Sequence, residues 1–356
     1  MLITKDSPIS RVEGNRQTIP EQPQTSYPRR RGPGLLENSR CRSRLGSPGG
    51  VRLFVGANKE PPVNLSVVMI TFNEEANLPR TLASVQPLVE NGHGEIIVVD
   101  SGSTDRTVEI AKGFGAKVFI EEWKGFARQK NSAIDKATGD WILSLDADEE
   151  VEPGLSTEIR EVIAEQFRRD TAQGISQNAG DRLREIVHSH HITGVSYDRF
   201  AFGYMIPRKN FFLGRWARHG GFYPDRKLRL FRRGAGAFED RPVHEDVSLG
   251  WPANQLSHAL VHHAYPNLSD YIEHMNRYST LGAEMAVAKG YRGFSVIDIA
   301  ARPVATFIYN YIFRLGFLDG REGLLLHLYH SVYVSWKYAK AWELTCRKES
   351  ADSSLR

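Results

Sequence analysis

"GEIIVVDSGSTDRTVEIAKGFG", residues 94–115, decides how the rest of the chain is read. An apolar run ends in Asp100 and a Ser/Gly loop, and a helical segment closed by glycines follows, so the stretch predicts strand, loop and helix in succession. The same form surrounds it. "LSVVMITFNEE" (65–75) leads into "EANLPRTLASVQPL", with Leu78, Leu82 and Val85 at helical spacing; "AKVFIEE" (116–122) leads into "GFARQKNSAIDKAT". "DWILSLDADEE" (140–150) is a fourth strand, followed by an amphipathic helix over 154–169. Strands alternating with helices of this length predict βαβ units and a parallel sheet, whose ligands sit at the carboxyl ends of the strands.

The chain has 356 residues, 41% of them hydrophobic and 25% charged, enough to bury a sizeable core and unlike a disordered protein. Its net charge of +4 is uneven: residues 1–60 hold eleven Lys/Arg against five Asp/Glu, so the basic balance belongs to the leader and the remainder is slightly acidic. Residues 1–62 lack apolar periodicity and are rich in Pro, Gly, Ser and Arg, which predicts a disordered basic leader. Cys41 and Cys346 are the only cysteines, so a disulfide framework and a cysteine metal site are not expected, and a reducing compartment fits. The leader has neither the apolar stretch of a signal peptide nor the acid-poor composition of a transit peptide. Residues 170–194 are polar, contain glycine and read as an insertion; from Leu268 onward the spacing is helical, with aromatic residues dense between Phe294 and Trp342.

Asp146, Asp148, Glu149 and Glu150 crowd the end of the fourth strand, with Glu152 just beyond. That much like charge costs stability unless something positive stands there. On one reading Asp146 and Asp148 share a face of an extended segment and hold Mg²⁺ or Mn²⁺ between themselves and a diphosphate. On the other, the acids start the next helix, where the macrodipole favours them. Asp100 ends a neighbouring strand and could accept a hydrogen bond from a base or ribose, while Thr71 and Glu74 end the first strand beside it and could frame a nucleobase.

Residues 208–241 hold ten Lys/Arg and three Asp/Glu, with Phe211, Phe212, Trp216, Phe222, Tyr223 and Phe231 interleaved. In "RKLRLFRR", Lys227 and Arg229 share one strand face, a surface suited to phosphates, or otherwise an ordinary solvated edge strand. "RPVHEDV" supplies Glu245 and Asp246, either of which could take a proton from an attacking hydroxyl. "LVHHAY" supplies His262 and His263 as candidate further metal ligands.

Five motifs, "SVVMITFNEEANL", "EIIVVDSGSTDRTVEIA", "KNSAIDKATGDWILSLDADEE", "PRKNFFLGRWARHGGFYPDRKLRLFRRGAGAFEDRPVHE" and "LGFLDGREGLLL…KYAKAWE", resemble glycosyltransferase family 2 in order and content over roughly 64–345. They look most like the branch containing the lipopolysaccharide-core β-1,4-glucosyltransferases. The resemblance implies a GT-A fold: an α/β, mostly parallel nucleotide-binding sheet flanked by helices over 63–265, then a C-terminal helical region over 266–345 and a tail over 346–356. It implies inverting transfer of a hexose from a nucleotide sugar, a UDP-sugar above all, to a lipid-linked or glycan acceptor of the cell envelope, with Mg²⁺ or Mn²⁺. Asp146 and Asp148 match the family's DxD motif, which holds the metal and the donor diphosphate, and His262 stands beside them as the candidate further metal ligand. Thr71, Glu74 and Asp100 match its nucleotide contacts, and Lys130 a basic residue near the phosphates. The "HE" of "VHE" matches its base region, which puts Glu245 first and Asp246 second.

No Q-x-x-R-W occurs, so a processive synthase is not expected. "VIDIAARPVATFIYNYIFRLGFL" carries Asp298, Arg302, Pro303 and Arg314, which argues against a membrane span and for attachment at the inner face of the cytoplasmic membrane, or else a buried helical subdomain. Three alternatives stay open: a polyprenyl-phosphate acceptor, a sugar nucleotidyltransferase, which would need a Gly-rich, Arg-containing loop that "TFNEEANL" lacks, and a non-catalytic RNA-binding protein. Nucleic acid is the partner least expected.

Overall fold

The computed structural model describes residues 64–172, 201–239 and 246–354. The leader, most of the expected insertion, Glu245 and the "HSHH" run of 188–191 lie outside them.

In chain order the elements are β1 (Leu65–Thr71), α1 (Leu78–Val89), β2 (Gly94–Asp100), α2 (Thr107–Gly113), β3 (Lys117–Ile120), α3 (Phe126–Asp135), β4 (Trp141–Ser144), β5 (Glu149–Val151) and α4 (Pro153–Ala172). Next come β6 (Gly203–Phe212), β7 (Arg215–Trp216), β8 (Asp225–Arg232), β9 (Gly236–Phe238), β10 (Val247–Leu249), β11 (Asn254–Gln255) and β12 (Leu260–Tyr265). The C-terminal region is α5 (Leu268–Ala288), α6 (Arg302–Ile308) between two π-helical turns, and α7 (Gly320–Ser354). The main sheet runs β3-β2-β1-β4-β8-β6-β12-β5. Its first four strands are parallel; β8 then enters antiparallel against both β4 and β6. This is the GT-A architecture expected, parallel over β3-β2-β1-β4 and mixed beyond it.

β1 is apolar along its whole length because it is central, paired on both edges and covered on both faces. Leu65, Val67 and Met69 pack with Leu78, Leu82, Val85 and Leu88 of α1 and with Leu155, Ile159 and Ile163 of α4. Val68 and Ile70 turn the other way, onto Ala127, Ala133 and Ile134 of α3 and Phe238 and Val247 of the β9–β10 hairpin. The period of two thus sorts one strand between two cores. A third cluster, Phe212, Ala217, Tyr271 and Leu326, joins β6 to α5 and α7.

Glu95 at the start of β2 ties together the edge opposite the strand carboxyl ends. Its Oε1 accepts from Ser66 Oγ (2.6 Å) and from Thr138 N and Oγ1 (2.7 and 2.8 Å), and its Oε2 from Lys117 Nζ (2.6 Å). Burial pushes its carboxyl up, but these donors together pull it from 4.5 down to about 2. A depressed carboxylate stabilises the fold above its unfolded pKa and loses that contribution as pH falls through its folded one. Wild-type protein should therefore lose stability between about pH 4.5 and 2. In Glu95→Gln that part of the slope should be missing, so that urea midpoints of the two proteins converge toward pH 3; parallel curves from pH 6 to pH 3 would contradict the assignment.

Candidate active site

Strand β4 stops at Ser144, although Leu145 N still donates to Val68 O of β1 (3.0 Å). The chain then turns: Glu149 N donates to Asp146 O (3.1 Å), and Thr81 Oγ1 of α1 donates to Ala147 O (2.6 Å). Glu149–Val151 can thereby run antiparallel to β12, with Glu149 opposite His262. Asp146 and Asp148 thus occupy a turn, not the extended segment expected. The two carboxylates take different partners.

Asp146 Oδ1 accepts from Lys130 Nζ of α3 (2.7 Å) and its Oδ2 from Arg229 NH2 of β8 (2.5 Å). The same Arg229 nitrogen donates to Glu149 Oε1 (2.7 Å), which also accepts from Arg208 of β6 (3.0 Å); Arg208 continues to Asp225. Glu150 pairs with Arg80 and His263, and Glu152 with Lys209. Most of the positive charge that the acids require is therefore supplied by the protein itself. Burial opposes ionisation of Asp146 and Glu149, but Arg229, with Lys130 for the former and Arg208 for the latter, holds both below the usual carboxylate range.

Asp148 turns instead to His262 of β12, whose Nε2 lies 3.4 Å from Oδ2; both side chains are buried. Asn210 spends its amide hydrogens on Phe222 O and Asp225, so its Oδ1 faces His262 Nδ1 (2.7 Å) and fixes that nitrogen as the protonated one. Burial lowers the imidazole pKa, and Nε2 is the ring nitrogen turned toward Asp148. Lys130, Arg208 and Arg229 stand against Asp146, Asp148, Glu149 and Asp225, three cations to four carboxylates. Among the described residues no group of three His, Cys, Asp or Glu side chains is placed to hold a metal. Asp148 and His262 are the pair in this cluster whose donor chemistry would suit a divalent ion such as Mg²⁺ or Mn²⁺.

Thr71, Asp100 and Glu74 stand at the ends of β1 and β2. Asp100 is fully used: Oδ2 accepts from Thr71 Oγ1 (2.8 Å) and Ser103 Oγ, and Oδ1 from Gly102 N and Ser103 N (3.0 and 2.8 Å). It shapes the loop, while Asn73 and Ser103 stitch that loop to the one after β1. Burial pushes the Glu74 carboxyl up to about 8, with Asp148 and Asp146 adding to the rise, so it is protonated at neutral pH.

A cavity of about 550 Å³ opens beside this cluster. Lys130, Asp146, Arg208, Arg229 and His262 line one part; Tyr265, Tyr271, His274 and Tyr278, with His330 and Tyr333 of α7, line another. Asp246 is on its wall, half-exposed and 3.5 Å from Lys227. The aromatic part is what the sequence reading missed. Dense aromatic residues over 294–342 gave a signal, but spacing alone could not show that α5 and α7 return to the β6–β8 sheet. His274 stacks on Tyr278 (centroids 4.2 Å apart), and burial pushes it down to about 3, so this lining is uncharged.

The loop carrying Phe222 and Pro224 also lines the cavity, and the "FLDGREG" motif holds it. Asp319 accepts from His219 N (2.9 Å) and contacts its Nδ1 (2.7 Å), and Gly220 N donates to Arg314 O (2.9 Å). Gly220 and Gly221 both have positive φ, and a Cβ on either would strike His327 or Arg314 at about 2 Å, so only glycine fits this crossing.

Residues 66–236 match the model of "Glycosyl transferase family 2". Those residues are a glycosyltransferase family 2 domain, and the protein is a glycosyltransferase. The chain is 29% identical over 295 residues to the lipopolysaccharide core biosynthesis glycosyltransferase LpsC of Rhizobium meliloti, covering 80% of this chain and 93% of that one. It is 27% identical over 300 residues to an uncharacterized glycosyltransferase of Rickettsia typhi, covering 82% and 90%. Among solved structures, the mannosyltransferase PcManGT from Pyrobaculum calidifontis, in complex with GDP-Man and Mn²⁺, superposes over 78% of this chain and 86% of its own with 16% identity and a TM-score of 0.44. Glucosyl-3-phosphoglycerate synthase from Mycobacterium tuberculosis, in complex with Mn²⁺ and UDP, matches 24% of this chain and 34% of its own at 32% identity, with a TM-score of 0.23. In this glycosyltransferase no described helix is long and apolar enough to cross a membrane.

Proposed function

We propose that this glycosyltransferase moves a hexose, with inversion, from a UDP-sugar to a lipopolysaccharide-core or other cell-envelope glycan acceptor, and does so at the inner face of the cytoplasmic membrane. The observation that carries the reading is one cavity with an ion-paired carboxylate cluster on one part and an uncharged aromatic lining on the other. Charged groups suit a nucleoside diphosphate, and aromatic faces suit a sugar ring. The likeness to LpsC supports the acceptor class.

In this reading Lys130 and Arg229 fix Asp146 for the donor, and Asp148 with His262 would hold Mg²⁺ or Mn²⁺. When bound, the divalent ion offsets the charge that develops on the departing diphosphate. Thr71, Glu74 and Asp100 form the nucleoside end; because Asp100 already has four donors, contact with a base requires that it release one of them. The acceptor hydroxyl attacks the anomeric carbon from the face opposite the diphosphate. Glu245 takes its proton, with Asp246 as the alternative. A single displacement of this kind inverts the configuration.

A screen of UDP- and GDP-sugars, with released nucleoside diphosphate as the readout, should show turnover that needs Mg²⁺ or Mn²⁺ and stops with EDTA. Metal-independent turnover would remove the assigned role of Asp148 and His262. Glu245→Gln should keep nucleotide affinity while transfer falls by roughly 10²- to 10⁴-fold, the usual contribution of a general base. If Asp246→Asn has that effect instead, the base is Asp246.

A further inference from the structure

We infer that the surface from Arg292 to Leu328 docks on an anionic lipid bilayer, which deepens the membrane-face part of the proposed function. Every exposed residue in this stretch is aliphatic, aromatic, glycine or arginine. Ile297 and Phe313 are 71% and 73% exposed, and Phe294, Val296, Val304 and Tyr309 all exceed half. Soluble surfaces rarely leave so many large apolar side chains of one segment uncovered unless they bind something.

The charges say what it binds. Arg292, Arg302, Arg314 and Arg321 are exposed, whereas no Asp or Glu of the stretch is. Its three acids are engaged: Asp298 with Arg302 (2.7 Å), Asp319 with His219 (2.7 Å) and Glu322 with Arg215 (3.7 Å). Apolar side chains fringed by arginine alone complement acyl chains below anionic headgroups. A second copy of the chain would fit worse, since a twofold contact through this patch sets arginine against arginine. The patch also adjoins the active-site cavity: Arg314 O holds Gly220, next to the cavity-lining Gly221 and Phe222. Docking there would bring the aromatic part of the cavity close to a lipid-borne glycan.

The test is flotation of the full-length protein with vesicles of phosphatidylglycerol and phosphatidylethanolamine, compared with phosphatidylcholine vesicles. Wild type should float with the anionic vesicles and much less with the neutral ones. Phe313→Ser with Leu318→Ser should lower the bound fraction at least roughly tenfold. Arg292→Glu with Arg321→Glu should abolish the preference for anionic lipid. Wild type remaining unbound to both vesicles, or variants that float like wild type, would overturn the inference. So would sedimentation showing that the serine variant instead splits a dimer. Vesicle-free hydrolysis of the donor, measured alongside, reports on the transferase reading separately.

Discussion

Asp148→Asn lowers metal-dependent turnover of the nucleotide sugar by roughly 10²- to 10³-fold, the size of effect seen when one electrostatic stabiliser of a transition state is lost. Asp148 is the carboxylate of the cluster that faces the ring of His262. Converting it to an amide removes a negative charge and with it much of the site's attraction for a divalent ion. The fold should tolerate the change, because the amide has the same shape and keeps a polar group against Nε2 of that ring. Nucleoside diphosphate released with Mn²⁺ present, alongside a thermal unfolding curve, checks both halves. Turnover within a fewfold of wild type, in a protein of unchanged melting temperature, would remove the metal role.

Arg229→Ala acts on stability. One guanidinium nitrogen bridges Asp146 and Glu149, and all three side chains are buried. Removing one partner of a buried ion pair leaves uncompensated charge and typically costs about 3–5 kcal/mol. Lys130 and Arg208 still hold one acid each, so the lower part of that range is expected. Arg229→Lys keeps the charge but cannot reach both carboxylates with one planar fork, and should recover only part of the loss. Urea unfolding of both variants measures this. If Arg229→Ala stays within about 1 kcal/mol of wild type, a threshold set by the spread of ordinary surface substitutions, the network contributes little to the fold.

The acids after β4 show how far the sequence carries. Their crowding implied a compensating positive charge, and that inference was sound. Its source was not legible: Arg229 lies 83 residues from Asp146 and Lys130 lies 16 residues before it, and nothing in their spacing pairs them. Asp146 and Asp148 were expected on one face of an extended segment, yet the chain turns so that Glu149 can pair across β12. Cross-strand pairing outweighed the local continuation of the strand. Asp100 is expected to offer an acceptor; the loop that follows it takes three of its lone-pair positions and Thr71 of β1 the fourth. The three loop donors are a local effect that "DSGS" carries; the fourth depends on β1 pairing with β2.

By itself the sequence determined the order of strands and helices, because apolar runs of period two and 3.6 follow from the geometry of the backbone and need no distant partner. It also determined the family and the places where carboxylates emerge, since each strand end is a local event. Tertiary structure alone decided which cation answers which acid, that Asp148 and not Asp146 faces His262, and that α5 and α7 complete the cavity with uncharged rings. Those outcomes depend on contacts between residues far apart in the chain, fixed only when β8 inserts antiparallel between β4 and β6 and the two cores close around β1.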